Sequence, residues 1–114
     1  MGTDEYCRTS IENVFAAGDG ASAWRPRLQR RVRFEHYENA QLQGAAAGRS
    51  MAGNMQPYDP IPFFWSDQFE LGLQYYGYAV KWDDIILRGK PEEHAFTPLY
   101  MRDGRREAIC NCTR

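Results

Sequence analysis

The stretch Val14-Phe15-Ala16-Ala17-Gly18-Asp19 decides how the rest of this chain is interpreted. Its four apolar residues predict a short buried strand, and Gly18 would let the backbone approach a ligand closely. Asp19 then places a carboxylate at the carboxyl end of that strand, the edge at which α/β sheets bind cofactors. Such a carboxylate can accept a strong hydrogen bond from a sugar or ribitol hydroxyl. The alternative is a strand that runs into an ordinary turn, because glycine and aspartate are common turn residues.

Length and charge limit the class of protein. The 114 residues are enough for one small domain with a modest core, and a net charge of -1 excludes a generally basic nucleic-acid binder. No apolar run has the length that spans a bilayer, and the first residues carry Asp4 and Glu5 where a signal peptide carries basic residues. We therefore expect a cytoplasmic protein that binds neither nucleic acid nor a membrane.

The cysteines and histidines do not have the spacing of a metal site. Cys7 is far from Cys110 and Cys112, and His36 is far from His94. Cys110 and Cys112 are expected on one face of a strand as free thiols, with metal binding or redox work as the alternative. We predict no metal site.

A basic segment follows Asp19 and contains Pro26. Its arginines are Arg25, Arg27, Arg30, Arg31 and Arg33. We expect this segment to be a loop, and two interpretations stay open. It is either a solvated basic loop or a docking patch for an acidic protein partner, since clustered arginines steer association over long distances.

A helix is predicted over residues 35–52. Small or apolar residues recur at spacings of three and four, which predicts one buried face; they are Tyr37, Ala40, Gly44, Ala47 and Met51. Gly44 and Gly48 each cost about 1 kcal/mol of helix propensity, and close packing against another backbone or a flat ligand would offset that cost. Gly53-Asn54 is expected to end the helix.

The start of this helix bears on function. The first-turn amide groups around Tyr37, Glu38 and Asn39 have no intrahelical partners and carry partial positive charge. A group that faces them is favoured if it is electron-rich, as a reduced flavin is on its pyrimidine side.

The second half of the chain has a different composition, because most of the chain's aromatic residues lie between Tyr58 and Tyr100. The prolines of residues 57–62 predict a stiff extended linker. Alternating apolar residues predict strands over 71–80 and 85–88, and Asp103-Gly104 is a strong hairpin signal between the strands 96–102 and 105–112. We predict an α+β protein in which residues 1–56 supply a strand, a loop and a helix, and residues 57–114 form a small, mostly antiparallel sheet.

Taken in order, several short motifs resemble those of one family. They are Arg8-Thr9-Ser10, Val14 to Asp19, Glu35-His36-Tyr37-Glu38-Asn39-Ala40 with Gln43-Gly44, Pro57-Tyr58, Phe64-Trp65-Ser66-Asp67-Gln68, Gly77, and Arg88-Gly89. Together they cover most of the chain and resemble the FAD-dependent, pyridine-nucleotide-linked ferredoxin and rubredoxin reductases, which are related to the apoptosis-inducing factors. His36 is similar to a histidine of the apoptosis-inducing branch.

The resemblance implies cofactor-binding roles for four residues. Asp19 would bind the ribitol of FAD, Tyr37 and Glu38 would lie along the isoalloxazine, and Trp65 would lie near the flavin where the nicotinamide of NAD(P)H docks. The resemblance implies that residues 1–56 are the end of an FAD-binding domain and that residues 57–114 are the reductase C-terminal domain, with dimer contacts in some members. Trp65 could instead be a core aromatic residue, and Glu38 could be a plain carboxylate favoured by the helix dipole.

One element of the resembling family is absent from the sequence. No Gly-x-Gly-x-x-Gly turn is present, although both dinucleotide-binding units of such enzymes need one. We therefore expect a C-terminal fragment, from a truncated record or an internal start, that neither retains FAD nor passes electrons to a ferredoxin- or rubredoxin-type acceptor when isolated. We assign no catalytic residue. The alternatives are a non-catalytic interaction or homodimerisation module and a fragment of a flavoprotein like the apoptosis-inducing factors.

Overall fold

The computed structural model describes residues 1–114 and confirms the predicted α+β class. The chain divides into two compact units, Met1–Pro60 and Ile61–Arg114. The boundary between these two compact units follows Pro60, and the assignment of residues 1–56 to an FAD-binding domain stays a prediction. No helix in the structure combines the length and the apolar character needed to cross a bilayer.

The first unit contains a small sheet of three strands. They are β1 (Gly2–Thr3), β2 (Ser22–Arg25) and β3 (Arg30–Val32), in the order β1-β2-β3. β1 pairs with β2 in parallel, and β2 pairs with β3 antiparallel. The prediction of a loop between Asp19 and Arg33 is therefore wrong, because most of that segment is a β-hairpin. Its tip is a 3-10 turn, Pro26–Leu28, which Gln29 closes in the left-handed conformation with a φ of 51°.

The predicted buried strand before Gly18 is also wrong. The stretch makes only an isolated bridge between Phe15 and Arg8, and Val14 is exposed. The Thr9 amide donates to the Val14 carbonyl at 2.9 Å, and Asn13 has a positive φ of 62°. These features fold the segment into a tight loop. Phe15 and Ala17 pack against a buried cluster without a strand partner, so their apolar character reflects burial and not sheet pairing.

The helix is confirmed, with slightly shorter bounds. α1 spans Tyr37–Met51, and Gly53 follows it in the left-handed conformation with a φ of 90°. The Asn54 amide donates to the Arg49 carbonyl at 2.9 Å, and the Gly53 amide donates to Ser50 at 3.0 Å. This pair of hydrogen bonds is the Schellman pattern that a glycine after a helix predicts.

The predicted buried face of α1 is mostly wrong. Tyr37, Gly44 and Met51 are exposed, and a Cβ added to Gly44 or Gly48 would meet no atom within 4 Å. The buried residues of the helix are Asn39, Gln43, Ala46, Ala47 and Ser50. Three of these five are polar, so a search for apolar periodicity cannot find this face. Ala46 and Ala47 pack with Cys7 and Tyr58 in the core cluster.

The segment before the second unit is an integral part of the first. The Tyr58 amide donates to the Glu5 carbonyl at 2.7 Å, and Tyr58 is 7% exposed. Asp59 and Pro60 both contact Arg25. Residues 57–60 are therefore anchored to the first unit and do not behave as a free linker.

The second unit is one antiparallel sheet of five strands. They are β4 (Phe63–Gln68), β5 (Leu71–Gly77), β6 (Asp84–Lys90), β7 (Ala95–Arg102) and β8 (Arg105–Thr113), in the order β4-β5-β8-β7-β6. The prediction of a small antiparallel sheet is confirmed. β4 is an additional strand that the aromatic run over residues 63–68 did not predict.

Two turns of this sheet have a backbone conformation that their residues explain. Asp103 and Gly104 have φ values of 51° and 74°, as a two-residue hairpin turn of type I′ requires. The turn between β6 and β7 is a 3-10 turn, Pro91–Glu93, closed by His94 with a φ of 53°. It repeats the backbone of the Pro26–Gln29 turn in the first unit.

Candidate functional site

Asp19 lies at the corner of a turn that Gly18 begins. Gly18 has a φ of 83°, and its carbonyl accepts a 3.0 Å hydrogen bond from the Ala21 amide. Asp19 is exposed at this corner. The carboxylate is thus presented to solvent by a turn, and not by the end of a strand.

Residues of helix α1 hold this turn in place. The Gly18 amide donates a 2.9 Å hydrogen bond to the Oε1 of Gln43, a residue that is 2% exposed. A Cβ at Gly18 would lie 3.8 Å from the Cβ of Ala40, so the turn and the helix are in close contact. Glycine is favoured at position 18 by its positive φ.

Gln43 belongs to a buried polar network. Its Oε1 also accepts a 3.3 Å hydrogen bond from the Nδ2 of Asn39, and the Oδ1 of Asn39 accepts a 3.0 Å hydrogen bond from the Tyr58 hydroxyl. Burial raises the pKa of Tyr58 to about 12, an effect that the nearby Arg25 guanidinium opposes. Tyr58 therefore remains a hydrogen-bond donor at neutral pH, and the network connects the Asp19 turn to the end of the unit.

The helix start lies beside this network. His36 is the N-cap residue in an extended conformation, and no side chain caps the helix. Tyr37 is 73% exposed and Glu38 is partly buried. The first-turn amide groups have no side-chain cap, and such groups favour an electron-rich partner; that a flavin is this partner stays a prediction.

His36 connects the helix start to Asp19 electrostatically. Burial lowers the pKa of His36, and the negative charge of Asp19 partly opposes that shift. The imidazole also stacks on Phe34, with ring centroids 5.3 Å apart. The structure thus brings Asp19 near His36, the residue that precedes α1.

The basic segment is largely structural. Arg25 is 1% exposed, donates to the Pro60 carbonyl at 2.6 Å and forms a 3.4 Å ion pair with Asp59. Its guanidinium also lies over the rings of Phe34 and Tyr58, at 5.5 and 4.9 Å from their centroids. Arg25 is therefore excluded from both interpretations of this segment, the solvated basic loop and the docking patch.

The remaining arginines have individual contacts. Arg31 donates to the Thr3 carbonyl at 2.7 Å, and Arg33 forms an exposed 3.0 Å ion pair with Glu35. The Arg27 amide donates to the Asp59 carboxylate at 2.7 Å. The guanidinium groups of Arg27, Arg30, Arg31 and Arg33 belong to exposed residues, so this hairpin still carries positive charge on its surface.

Trp65 lies on β4 of the second unit. It is 45% exposed, pairs across the sheet with Gln74 and stacks with Phe63 at a centroid distance of 6.0 Å. A tryptophan so exposed is not a core residue of this sheet. Its predicted place beside a flavin, together with Asp19 and Tyr37, stays a prediction because Trp65 and the turn belong to different units.

Sequence reasoning assigned no role to the residues that fix the Asp19 turn. Asn39, Gln43 and Tyr58 all occur in the motifs quoted for the resemblance, and the spacing of Asn39 and Gln43 is that of one helix face. That spacing was the one sign in the sequence that these two polar residues lie on the same face of the helix. No group of three histidine, cysteine or acidic side chains is placed to hold a metal ion.

A family model decides the nature of the second unit. Residues 63–112 match the model described as "Reductase C-terminal". These residues are similar to a reductase C-terminal domain. All five strands of the second sheet fall largely within the matched residues, which supports the resemblance to this family of reductases.

The similarity to known proteins extends over nearly the whole chain and is not limited to residues 63–112. The ferredoxin reductase subunit of 5,5'-dehydrodivanillate O-demethylase from Sphingobium sp. is 41% identical over 107 residues, which are 93% of this chain and 26% of that protein. Apoptosis-inducing factor 3 from Mus musculus is 32% identical over 95% of this chain and 18% of its own length. The chain is therefore homologous to ferredoxin reductases and to apoptosis-inducing factors, and it spans about a quarter or less of these relatives.

A solved structure gives the same result. The crystal structure of the ferredoxin reductase for the CYP199A2 system from Rhodopseudomonas palustris superimposes with a TM-score of 0.94 at 30% identity. The match covers 100% of this chain and 28% of the other. Both units of this chain thus have counterparts in a ferredoxin reductase.

Proposed function

We propose that this chain is the C-terminal part of a FAD-dependent reductase that passes electrons from NAD(P)H to a ferredoxin- or rubredoxin-type acceptor. The observation that carries the proposal is the match of the whole chain, at a TM-score of 0.94, to one ferredoxin reductase. We propose that residues 1–56 form the C-terminal end of an FAD-binding domain. We also propose that the protein is cytoplasmic.

The residues at the Asp19 turn fit the hydroxyl-rich part of FAD. An exposed carboxylate held by a turn can accept hydrogen bonds from ribitol, and the start of α1 beside it favours electron density on a flavin ring. Tyr37 and Glu38 would lie along that ring, and Trp65 would cover the side at which the nicotinamide docks. When bound, the flavin supplies the redox chemistry, while the protein supplies position and electrostatics.

We further propose that the chain is inactive when it is alone. It has no glycine-rich turn to receive a pyrophosphate, and hydride transfer needs both dinucleotides held in contact. The isolated chain should be colourless after purification. A yellow protein that oxidises NADH would contradict this proposal.

A chimaera tests the function directly. The chain replaces the homologous C-terminal region of the Sphingobium ferredoxin reductase subunit, and ferredoxin reduction by NAD(P)H is measured. We expect an active flavoprotein whose FAD content falls when Asp19 is changed to Ala, whereas Glu12→Ala, in another exposed loop, leaves it unchanged. A folded chimaera that binds FAD equally well with and without the Asp19 carboxylate would remove Asp19 from the proposed site.

The DNA upstream of the Met1 codon separates this function from a free-standing module. An open reading frame that continues upstream and encodes glycine-rich strand-to-helix turns supports a reductase. A stop codon followed by a ribosome-binding site supports a separately expressed module.

One observation favours that second candidate, a homodimerisation module. All seven residues of edge strand β6 are exposed, and Ile85, Ile86 and Leu87 are 46%, 44% and 50% exposed. If two copies of β6 pair antiparallel with Leu87 opposite its counterpart, Asp84 lies opposite Lys90 at both ends. An apolar edge strand with complementary charges can form such a pair.

Sedimentation of the isolated chain tests the module. A dimer that Ile86→Lys converts to a monomer supports pairing through β6. Phe69→Lys, which removes an exposed hydrophobic residue from the turn between β4 and β5, is the matched control. A monomer at all concentrations would contradict the second candidate and leave the first one standing.

A further inference from the structure

Two cysteines lie side by side on the central strand β8. Cys110 and Cys112 are two residues apart, so their side chains project from the same face of the strand. Their Sγ atoms are 3.8 Å apart. Cys110 is buried and Cys112 is partly exposed. Neither residue has a part in the proposed flavin chemistry.

The surroundings of the pair are apolar and give the two thiols different access to solvent. Cys110 lies opposite Tyr75, while Cys112 lies between Leu73 and Phe96. Burial raises the pKa of Cys110 to about 11, and the Cys112 thiol adds to that effect. Cys110 is thus a protonated, protected thiol, and the partly exposed Cys112 is the thiol that a small reagent reaches first.

The backbone permits the two sulfur atoms to meet. Residues i and i+2 of a strand have Cα atoms about 6.7 Å apart, and disulfides occur at Cα separations of about 4.4–6.8 Å. The sulfur atoms must approach from 3.8 Å to about 2.05 Å. Rotation about both side chains and a small local pucker of β8 would supply this movement.

The ladder is weakened at the place where such a pucker would form. The pairs Phe96 with Cys112 and Leu99 with Ile109 put Pro98 opposite Cys110. Proline has no N–H to donate, and no ladder pair forms between Pro98 and Cys110. Beside this gap, the Thr97 hydroxyl donates to the Asn111 side chain at 2.9 Å. The backbone around Cys110 is therefore less constrained than that of an uninterrupted central strand.

We propose that Cys110 and Cys112 form a peroxide-sensitive dithiol that closes to an intrastrand disulfide. The Cys112 thiolate attacks hydrogen peroxide, the O–O bond breaks, and an S–O bond forms with release of hydroxide. The Cys110 sulfur then attacks the Cys112 sulfur, the S–S bond forms, and the departing hydroxide takes the Cys110 proton as water. In total, two thiols lose two electrons to one peroxide, which becomes two waters.

Closure of this disulfide acts on the sheet. Cys110 pairs with Tyr75 of β5, and Cys112 pairs with Leu73 of β5 and Phe96 of β7, so a pucker that includes both cysteines disturbs two ladders at once. Oxidation is therefore expected to lower the melting temperature of the second unit, and a reducing dithiol is expected to restore it. This property belongs to the thiol pair and does not depend on flavin binding.

Peptide mass analysis tests the proposal on the unmodified sequence. The chain is treated with hydrogen peroxide, the remaining thiols are alkylated, and trypsin cleaves after Arg106 to release residues 107–114. This peptide contains both cysteines and excludes Cys7. We expect it to lose two hydrogen atoms and to take up no alkylating group. A peptide in which Cys112 is a sulfinic acid and Cys110 is still alkylated would overturn the proposal, as would disulfides formed only between chains.

Variants assign the order of reaction. Cys110→Ser should leave a sulfenic acid on Cys112 that dimedone traps, whereas Cys112→Ser should leave Cys110 as an unreacted thiol. Cys7→Ser is the control and should leave closure unchanged. Equal peroxide reactivity of Cys110 in the presence and absence of Cys112 would contradict the order given above. The mass measurement on the unsubstituted chain decides the proposal even if a variant fails to fold.

Discussion

The Gly18 amide donates a 2.9 Å hydrogen bond to the side-chain oxygen of Gln43, and through it helix α1 fixes the turn that carries Asp19. Gln43 is 2% exposed, and its Oε1 also accepts a hydrogen bond from the side-chain amide of Asn39. A buried glutamine from the helix thus defines the position of an exposed carboxylate.

Replacement of Gln43 by methionine should destabilise the first unit. The side chain keeps its approximate volume, but the Gly18 amide loses its acceptor, a change that costs about 1–3 kcal/mol. Urea unfolding measures the free energy, and hydrogen exchange at the Gly18 amide reports the local opening. Gln41→Met, at an exposed position of the same helix, should change stability by less than about 0.5 kcal/mol. Equal effects of the two substitutions would show that the hydrogen bond contributes little.

Replacement of Arg25 by methionine should destabilise the first unit by about 3 kcal/mol, since it leaves a mostly buried carboxylate without its cation. Asp59 and the Pro60 carbonyl both lose a donor, and the stacking on Phe34 and Tyr58 is lost. Arg33→Met removes an exposed ion pair and should cost less than about 1 kcal/mol. Denaturant unfolding followed by hydrogen exchange at the amides of the first unit distinguishes the two. A smaller loss at position 25 than at 33 would contradict the structural role of Arg25.

The titration of His36 should depend on Asp19. The charge of Asp19 opposes the lowering of the His36 pKa by burial, so Asp19→Asn should lower that pKa further. Glu12→Gln should leave it unchanged. NMR titration of the imidazole Cε1 proton provides the measurement. A His36 pKa that rises in the Asp19 variant would contradict the placement of the carboxylate near the helix start.

The same shift predicts a pH dependence of stability. The folded-state pKa of His36 is lower than its unfolded-state value of about 6.5, so proton uptake favours the unfolded chain. The stabilising contribution is present above about pH 6.5 and is lost as the pH falls through the folded-state pKa. His36→Gln should flatten the stability profile in that window, whereas His94→Asn, in an exposed turn, should not. The profile is measured by urea unfolding between pH 5 and 8.

Gly77→Ala should destabilise the second sheet strongly. Gly77 has a φ of 101°, and a Cβ there would overlap the Glu107 carbonyl oxygen and lie 2.9 Å from the Ala108 Cα. The atoms that a Cβ would meet belong to the backbone of the neighbouring strand and cannot move aside as a side chain could. We therefore expect the free energy of unfolding to fall by more than about 2 kcal/mol. Gly72→Ala in the same strand meets atoms only at 3.6 Å or beyond and should change stability by less than about 1 kcal/mol. Thermal unfolding compares the two variants.

The sequence predicted the elements whose signals are local. Asp103-Gly104 specifies its own turn because both residues must adopt a positive φ, and Gly53 ends α1 for the same reason. The resemblance to ferredoxin reductases was also drawn from short local motifs taken in order, and the run that begins at Phe64 is one of them. These features need no information from distant parts of the chain.

The elements that the sequence did not predict depend on distant partners. Nothing next to Gln43 shows that its amide faces Gly18, and polar residues at buried helix positions are invisible to a search for apolar periodicity. The apolar residues before Gly18 include two that pack against the core cluster, Phe15 and Ala17, but pairing with a neighbouring strand is a tertiary property. Arg25 appeared to belong to a solvated patch because Asp59, its partner, is 34 positions away.

The two 3-10 turns show how the surface charge of this protein can change without a change of architecture. Each begins with a proline and ends with a left-handed residue, Gln29 or His94, so the backbone path is set at both ends. The tip between those ends carries Arg27 in one turn and Glu92 and Glu93 in the other. The charge at either tip can therefore be reversed by exchanging the tip residues alone, while the proline and the left-handed residue keep the course of the backbone.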